Sequence, residues 1–353
     1  MKKVLVVAIL SVLSIIPLTA SNIADFIVGQ DSYILLYIDA GKLQKTKIYT
    51  AIKSNLPARF AKSDILASVY PSTAANGLTE KDLSEVVFSV DVSQSKTSSK
   101  ESISYLIGFK LNKSITQDEL TKMLTYDPSG KANLTVKQIK ISEISVTEIK
   151  YQSSSLYLAM PDGNTIFGSD SSDSVVALMK RYKTNKLIAL PERMTEQKKL
   201  VAKDSVLYAI AAVLPAIRGL LQSEDDKITP TNQPQSLSAS LRTLIKNLAG
   251  ATLNASASDT LNVNTVIMFQ NSDSANVLNN LINQFMPLLK IQIFMMAQNN
   301  TQIPFLNTIT NSVNGNNFVL NFSLCGDDIA GILNLSQSNQ KLNLNVNSIN
   351  IQN

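Results

Sequence analysis

The sequence predicts an α+β fold: two similar units of antiparallel sheet with helices packed on one face, in the split βαβ order of ferredoxin-like domains. Three observations carry that expectation. In each half the apolar patterning runs strand, helix, strand, strand, helix, strand. The segment Ile166-Phe167-Gly168-Ser169-Asp170-Ser171 before Val175 resembles Met268-Phe269-Gln270-Asn271-Ser272-Asp273-Ser274 before Val277. And 353 residues with 44% hydrophobic content are enough for about two packed cores. The expected division is a signal peptide over 1–21, a first domain over 22–186, a junction over 187–203, and a second domain over 204–353 that ends in Asn-rich strands.

Lys2 and Lys3 precede an apolar run over 4–16, which is too short to cross a hydrocarbon layer about 30 Å thick as a helix. Pro17 ends the run, and Leu18-Thr19-Ala20-Ser21 offers small residues for cleavage after Ala20 or Ser21. No cysteine follows to take a lipid. The chain therefore reads as exported, periplasmic or extracellular, and not a lipoprotein.

Residues 32–38 are β-rich, and 42–56 place Ile48, Tyr49, Ile52 and Leu56 at helical spacing. A loop over 71–82 leads to strands over 83–92 and 103–111, joined by a Ser/Lys-rich connector. Thr116-Gln117-Asp118-Glu119 has the capping-box spacing before Leu120, Met123 and Leu124. After the turn Asp127-Pro128-Ser129-Gly130 come extended segments over 134–151, 155–160 and 165–168, the last two joined by Pro161-Asp162-Gly163-Asn164. A helix follows with Val175, Leu178, Met179 and Tyr182 on one face.

In the junction, Pro191 starts a short charged helix. Residues 205–214 read as a buried strand, 223–236 as a polar loop, and 237–248 as a helix stopped by Gly250. Residues 251–258 and 261–270 alternate around a hairpin at Asp259-Thr260. A helix over 273–298 sets Val277, Leu278, Leu281, Ile282 and Phe285 on one face and is interrupted at Pro287. A strand over 318–324 closes the set. Leu342, Leu344 and Val346 alternate with Asn343, Asn345 and Asn347, as do the residues of Leu261-Asn262-Val263-Asn264. Period two puts the asparagines on one sheet face. That face is expected to be solvated; a sugar or peptide surface is the alternative, because amides both donate and accept.

Composition removes whole classes of chemistry. The chain has no His, no Trp and one Cys, which excludes imidazole-activated nucleophiles, His metal ligands and His switches. Asp327 and Asp328 beside Cys325 oppose thiolate formation. Ser93-Gln94-Ser95-Lys96 has S-x-x-K spacing but no Ser-Asp-Asn or Lys-Thr-Gly companion. Phosphate-binding glycine loops are missing. Glu224-Asp225-Asp226 and Asp327-Asp328 lack the spaced register of a calcium loop. No metal or cofactor is expected. The formal charge of +5 is scattered, without Arg-rich or aromatic-basic runs, so nucleic acid is not an expected partner. Six N-x-[ST] sequons, at Asn112, Asn133, Asn254, Asn299, Asn321 and Asn334, are attributed to chance in so Asn- and Ser-rich a chain.

The helix 281–297 is apolar almost all round from Phe285 to Met296, so it must be core, bind a lipid or acyl chain, or meet a partner. Core is expected. A hydrophobic-ligand site would use Phe285, Leu289, Ile293, Phe294 and Met296. The reading is an exported, non-enzymatic binding or envelope-associated module whose partner is a protein or an envelope component, with no membrane span after signal removal. A periplasmic carrier of a hydrophobic ligand and a carboxylate-based hydrolase are the alternatives.

Tyr33 and Tyr37 just after the signal, the hairpin over 155–168 feeding a helix, and Leu190-Pro191-Glu192-Arg193 before the second half together give a layout that resembles exported bacterial proteins with tandem α+β units. The resemblance implies a fold and a compartment, and no functional residues.

Overall fold

The computed structural model describes residues 23–55, 80–94, 101–125, 134–152, 154–213, 237–296 and 304–329. The signal segment, the 223–236 loop and the Asn-rich strands expected beyond residue 333 lie outside them.

The elements in chain order are α1 (Ala24–Ile27), β1 (Ser32–Asp39), α2 (Ala40–Gln44), α3 (Lys47–Asn55), β2 (Leu83–Gln94), β3 (Glu101–Leu111) and α4 (Gln117–Thr125). There follow β4 (Leu134–Ile141), β5 (Ile144–Tyr151), β6 (Ser154–Asp162), β7 (Thr165–Ser169), α5 (Ser172–Lys183) and α6 (Glu192–Lys199). The last are β8 (Leu207–Ala212), α7 (Leu237–Lys246), β9 (Leu248–Ala257), β10 (Leu261–Phe269), α8 (Ser272–Met296), β11 (Thr310–Asn314) and β12 (Asn317–Leu324).

Among the described residues these strands form one 12-stranded sheet in the order β11-β12-β10-β9-β8-β1-β2-β3-β7-β6-β5-β4. All the pairings are antiparallel. The expected pair of ferredoxin-like units is therefore corrected. A split βαβ unit needs a strand between β1 and β2, yet these two pair directly from Asp39↔Glu85 to Ser32↔Asp91. The sheet also runs through the expected boundary, because β1 pairs with β8 from Ile34↔Ala211 to Ile38↔Leu207. Helices cover both faces.

Leu36 faces Ala209 at the middle of the β1–β8 seam, and an Asp-Ser pair stands at the start of β1 (Asp31-Ser32) and just before β8 (Asp204-Ser205). Outward from the seam one half reads β1-β2-β3-β7-β6 and the other β8-β9-β10-β12-β11. In that layout β10 takes the place of β3. The sequence echo links β7–α5 with β10–α8, which are not equivalent positions. Its common cause is capping: Ser171 accepts from Ser174 N–H, and Asn271 accepts from Ser274 N–H at 2.9 Å.

Period-two alternation sorts the core onto two faces. On one face Leu35, Tyr37, Val87, Phe167, Tyr208 and Ile210 pack in a single cluster with side chains of α1, α5 and α6. The opposite face is covered piecewise: α4 sits over Leu158 and Ile166, while α7 and α8 cover Phe269 and Phe318. The Thr116 capping box forms as expected, with Thr116 N–H donating to Glu119 Oε2 at 2.7 Å and Glu119 N–H to Thr116 Oγ1 at 3.1 Å. The Thr116 N–H, together with the Thr116 hydroxyl that donates to Glu119 Oε2 at 3.0 Å, holds the Glu119 carboxyl below its usual pKa.

Glu148 on β5 is buried and bracketed by Lys137 (3.0 Å) and Lys150 (3.3 Å). Burial pushes its carboxyl up, and the hydrogen bonds and charges of the two lysines outweigh that, so its pKa lies below the ordinary 4.5. A carboxyl depressed in the folded state contributes stability that is present above the unfolded pKa and lost as pH falls through the folded value. The wild type should therefore lose melting temperature below about pH 4.5, and Glu148→Gln should lose less over that window. Equal acid limbs in a melting series from pH 6 to pH 3 would contradict this role for the pair.

Candidate functional site

Three kinds of place could carry chemistry: the apolar helix, the polar sheet face and the clusters of ionisable groups.

α8 is 25 residues long, about 37 Å, and contains Pro287. Its first half is held on the sheet through Ala275, Val277, Leu278, Leu281 and Ile282 against Phe269, Phe318 and Leu320. The second half leaves that support. Phe285 is 47% exposed, Leu288 55%, Leu289 43% and Ile291 54%. The expectation that this segment is core is corrected for these residues. Of the expected ligand contacts, Phe285 and Leu289 are open to solvent, and the side chains of Ile293, Phe294 and Met296 lie outside the described ones. On α7, which packs against α8, Leu241 and Ile245 are also exposed, by 46% and 41%. α7 carries Arg242 and Lys246 and no acid; α8 carries Lys290 and a single acid, Asp273, at its opposite end. Among the described residues no helix is long and apolar enough to cross a membrane.

The second place is a row of residues in register across the sheet: Tyr37, Tyr208, Asn254, Asn264, Asn321 and Thr310. Tyr37 and Tyr208 stack at 5.0 Å in the core shared with α6. Asn254 is buried: its Nδ2 donates to Leu200 O at 3.0 Å, and its Oδ1 accepts from Ala202 N–H at 3.3 Å. Beyond α6 the row opens. Asn264 Nδ2 donates to Asn321 Oδ1 at 2.7 Å, and Ser323 Oγ to Asn262 Oδ1 at 2.6 Å. These amides and hydroxyls floor a cleft of about 400 Å³ that, among the described residues, is lined by no charged side chain. The alternation in Leu261-Asn262-Val263-Asn264 points to this face; β11, which completes it, is not among the strands the sequence predicts. Asn254 is too buried to carry a glycan, which fits the chance reading of its sequon.

The ionisable groups are tied into structure. Asp91 Oδ1 accepts from Ser32 Oγ at 2.6 Å and Ser89 Oγ at 3.1 Å, and Ser32 Oγ also accepts from Gly29 N–H. Burial raises the Asp91 carboxyl above its usual range against those two hydrogen bonds. Both serines are fully buried, so this Ser-Asp cluster is closed to substrate. Lys198 Nζ donates to the Tyr208 hydroxyl at 2.8 Å and lies 4.0 Å from the ring centroid; burial lowers its pKa. Tyr37 is pushed strongly upward by burial and then by Glu85 and Asp39. The Tyr182 hydroxyl donates to Asp162 at 2.7 Å, with Lys110 and Thr165 beside it; burial raises the Asp162 carboxyl, and these neighbours bring it below its usual range.

Ser93 lies in β2 opposite Ser102, while Lys96 falls outside the described residues. Glu224-Asp225-Asp226 also lies outside them. Asp328 does local work, accepting from Cys325 N–H at 2.7 Å and Phe305 N–H at 2.8 Å. Among the described residues no three acids or thiols come together as metal ligands.

No protein-family model and no curated protein matches the chain. A solved structure described as "Structure of crystal form I of TP0453" is similar to it, with a TM-score of 0.42 and 12% identity over 90% of this chain and 99% of that one. A likeness at that level fixes neither fold nor function.

Proposed function

We propose that this protein is an exported, non-enzymatic, envelope-associated module that docks on an anionic lipid surface through the outer half of α8. The observation that carries the reading is the exposed set Phe285, Leu288, Leu289 and Ile291. Burying one such side chain is worth about 1.5–3 kcal/mol, so leaving four of them in water is a cost that an interface recovers. The charges beside them indicate the kind of surface. Lys290, Arg242 and Lys246 accompany apolar positions on two packed helices, the composition of a helix that lies in a lipid interface and is attracted to anionic headgroups. Export rests on Lys2, Lys3 and the apolar run after them.

A carrier would enclose its acyl chain in an apolar cavity along α8, whereas the side chains there open outward. A carboxylate hydrolase would aim two unpaired acids into a cleft. Among the described residues no charged side chain lines the amide-floored cleft, and in a second cleft Asp204 and Asp259 lie among Lys42, Lys45 and Lys47, with Asp259 paired to Lys47 at 2.6 Å.

Flotation with vesicles tests the proposal. The mature protein should rise with phosphatidylglycerol–phosphatidylcholine vesicles, much less with pure phosphatidylcholine, and less again at high salt. Failure to float with the anionic vesicles at low salt would overturn the reading.

A further inference from the structure

We propose that the cleft floored by Asn264 and Asn321 is a binding site for a neutral saccharide. It lies on the sheet face opposite the one that α8 covers, so it stands independently of the lipid-docking reading.

The cleft is a built site. Asn254 is buried and held by two backbone groups, Asn264 reaches Asn321 at 2.7 Å, and Asn262 is oriented by Ser323 at 2.6 Å. The amides are thus positioned before any ligand arrives, which removes part of the ordering cost of binding. Both Asn262 and Asn321 commit their Oδ1 atoms to these bonds. Among the described residues their amide N–H₂ groups meet no acceptor, so both residues retain N–H donors to offer a ligand, and Thr310 lines the cleft with them.

The chemistry of the lining selects the ligand. A volume of about 400 Å³ falls within the range of small-ligand clefts. Among the described residues no charged side chain lines it, so an anion or cation entering would lose hydration without an ionic partner there. An apolar ligand would strand the amides unpaired. A peptide binds a sheet through main-chain pairing at an edge, but the floor is the flat of the sheet, where β9, β10 and β12 already pair with one another. A neutral sugar matches what remains, because each hydroxyl both donates and accepts. Among the described residues the lining holds one aromatic, Phe322, whose side chain alternates away from Asn321 to the other sheet face and meets Phe305 at 6.3 Å; affinity is therefore expected near millimolar.

The test is a ligand-observed NMR titration of the mature protein with two uncharged probes, maltotriose and N,N′,N″-triacetylchitotriose. Glucuronic acid and tetraglycine are run beside them. At least one trisaccharide should bind saturably, and Asn321→Ala should weaken it by about tenfold, the worth of one or two hydrogen bonds. Asn311→Ala, on the opposite face where Asn311 donates to Asn279 and Asn283, should bind as the wild type does. Melting curves confirm that each variant folds; if Asn321→Ala does not, Asn262→Ala takes its place. No saturable binding of either trisaccharide, equal binding by the cleft variant, or stronger binding of tetraglycine or glucuronic acid would overturn the assignment.

Discussion

Phe167→Ala should lower the free energy of unfolding by about 3–5 kcal/mol, the loss expected when a fully buried aromatic ring leaves a cavity. Phe167 has no exposed surface, lies at the centre of the core on the α5 and α6 face, and meets Tyr182 edge-on at 5.5 Å. β7 carries it, and its neighbours Ile166 and Gly168 point to the other face, so no adjacent side chain can swing in to fill the space. Denaturant titration is the check. A midpoint shift with unchanged slope reports stability alone. A loss below about 1 kcal/mol would show that this face is loosely packed.

Gly108→Val should cost about 1–3 kcal/mol, by the opposite mechanism. A Cβ at Gly108 on β3 would collide with Ile27 Cδ1 and lie 3.0 Å from Ile23 Cδ1. Both isoleucines are fully buried, so neither has room to retreat. α1 sits directly on this glycine, and the added methyls should lift it. Faster hydrogen exchange at Phe26, Ile27 and Val28, whose amides bond to Ile23 O and Ala24 O, would localise the effect. Wild-type stability in Gly108→Val would show that the close approach of α1 to β3 is wrong.

Several elements were legible because their signals are local. The capping box at Thr116, the Gly163-Asn164 turn, the Pro191 start of α6 and the Asp259-Thr260 hairpin all depend on residues within a few positions of each other. Others were masked by turn chemistry. Residues 134–151 read as one extended piece, yet they form the β4–β5 hairpin through Ser142 and Glu143 at φ 48° and 66°. That is the backbone of a primed turn without the Asn or Gly that normally announces it. The sequence places Gly250 as a helix stop, whereas α7 ends at Lys246 and Gly250 lies inside β9. A Cβ there would meet Ala211 O at 2.8 Å and the Gln197 side chain, so packing dictates the glycine.

The sheet order was not legible. Residues 32 and 91, or 37 and 208, meet across long intervals that no local pattern records. The second half of α8 misled for a related reason: apolar residues all round a helix imply contact with something apolar, and the sequence does not say whether that partner belongs to the fold. The amide cleft was half visible, through the alternation in β10 alone. Its other wall needed β12 and β11 in register.

A docking surface and a displaced piece of core make opposite predictions for the outer half of α8. The direct measurement is vesicle flotation of Leu288→Ser/Leu289→Ser beside the wild type, with a melting curve for each. At 55% and 43% exposure these leucines contribute little to the core, so the double variant should melt close to the wild type and no longer rise with phosphatidylglycerol-containing vesicles. A variant that melts far below the wild type, or that floats as well as it does, would contradict the assignment.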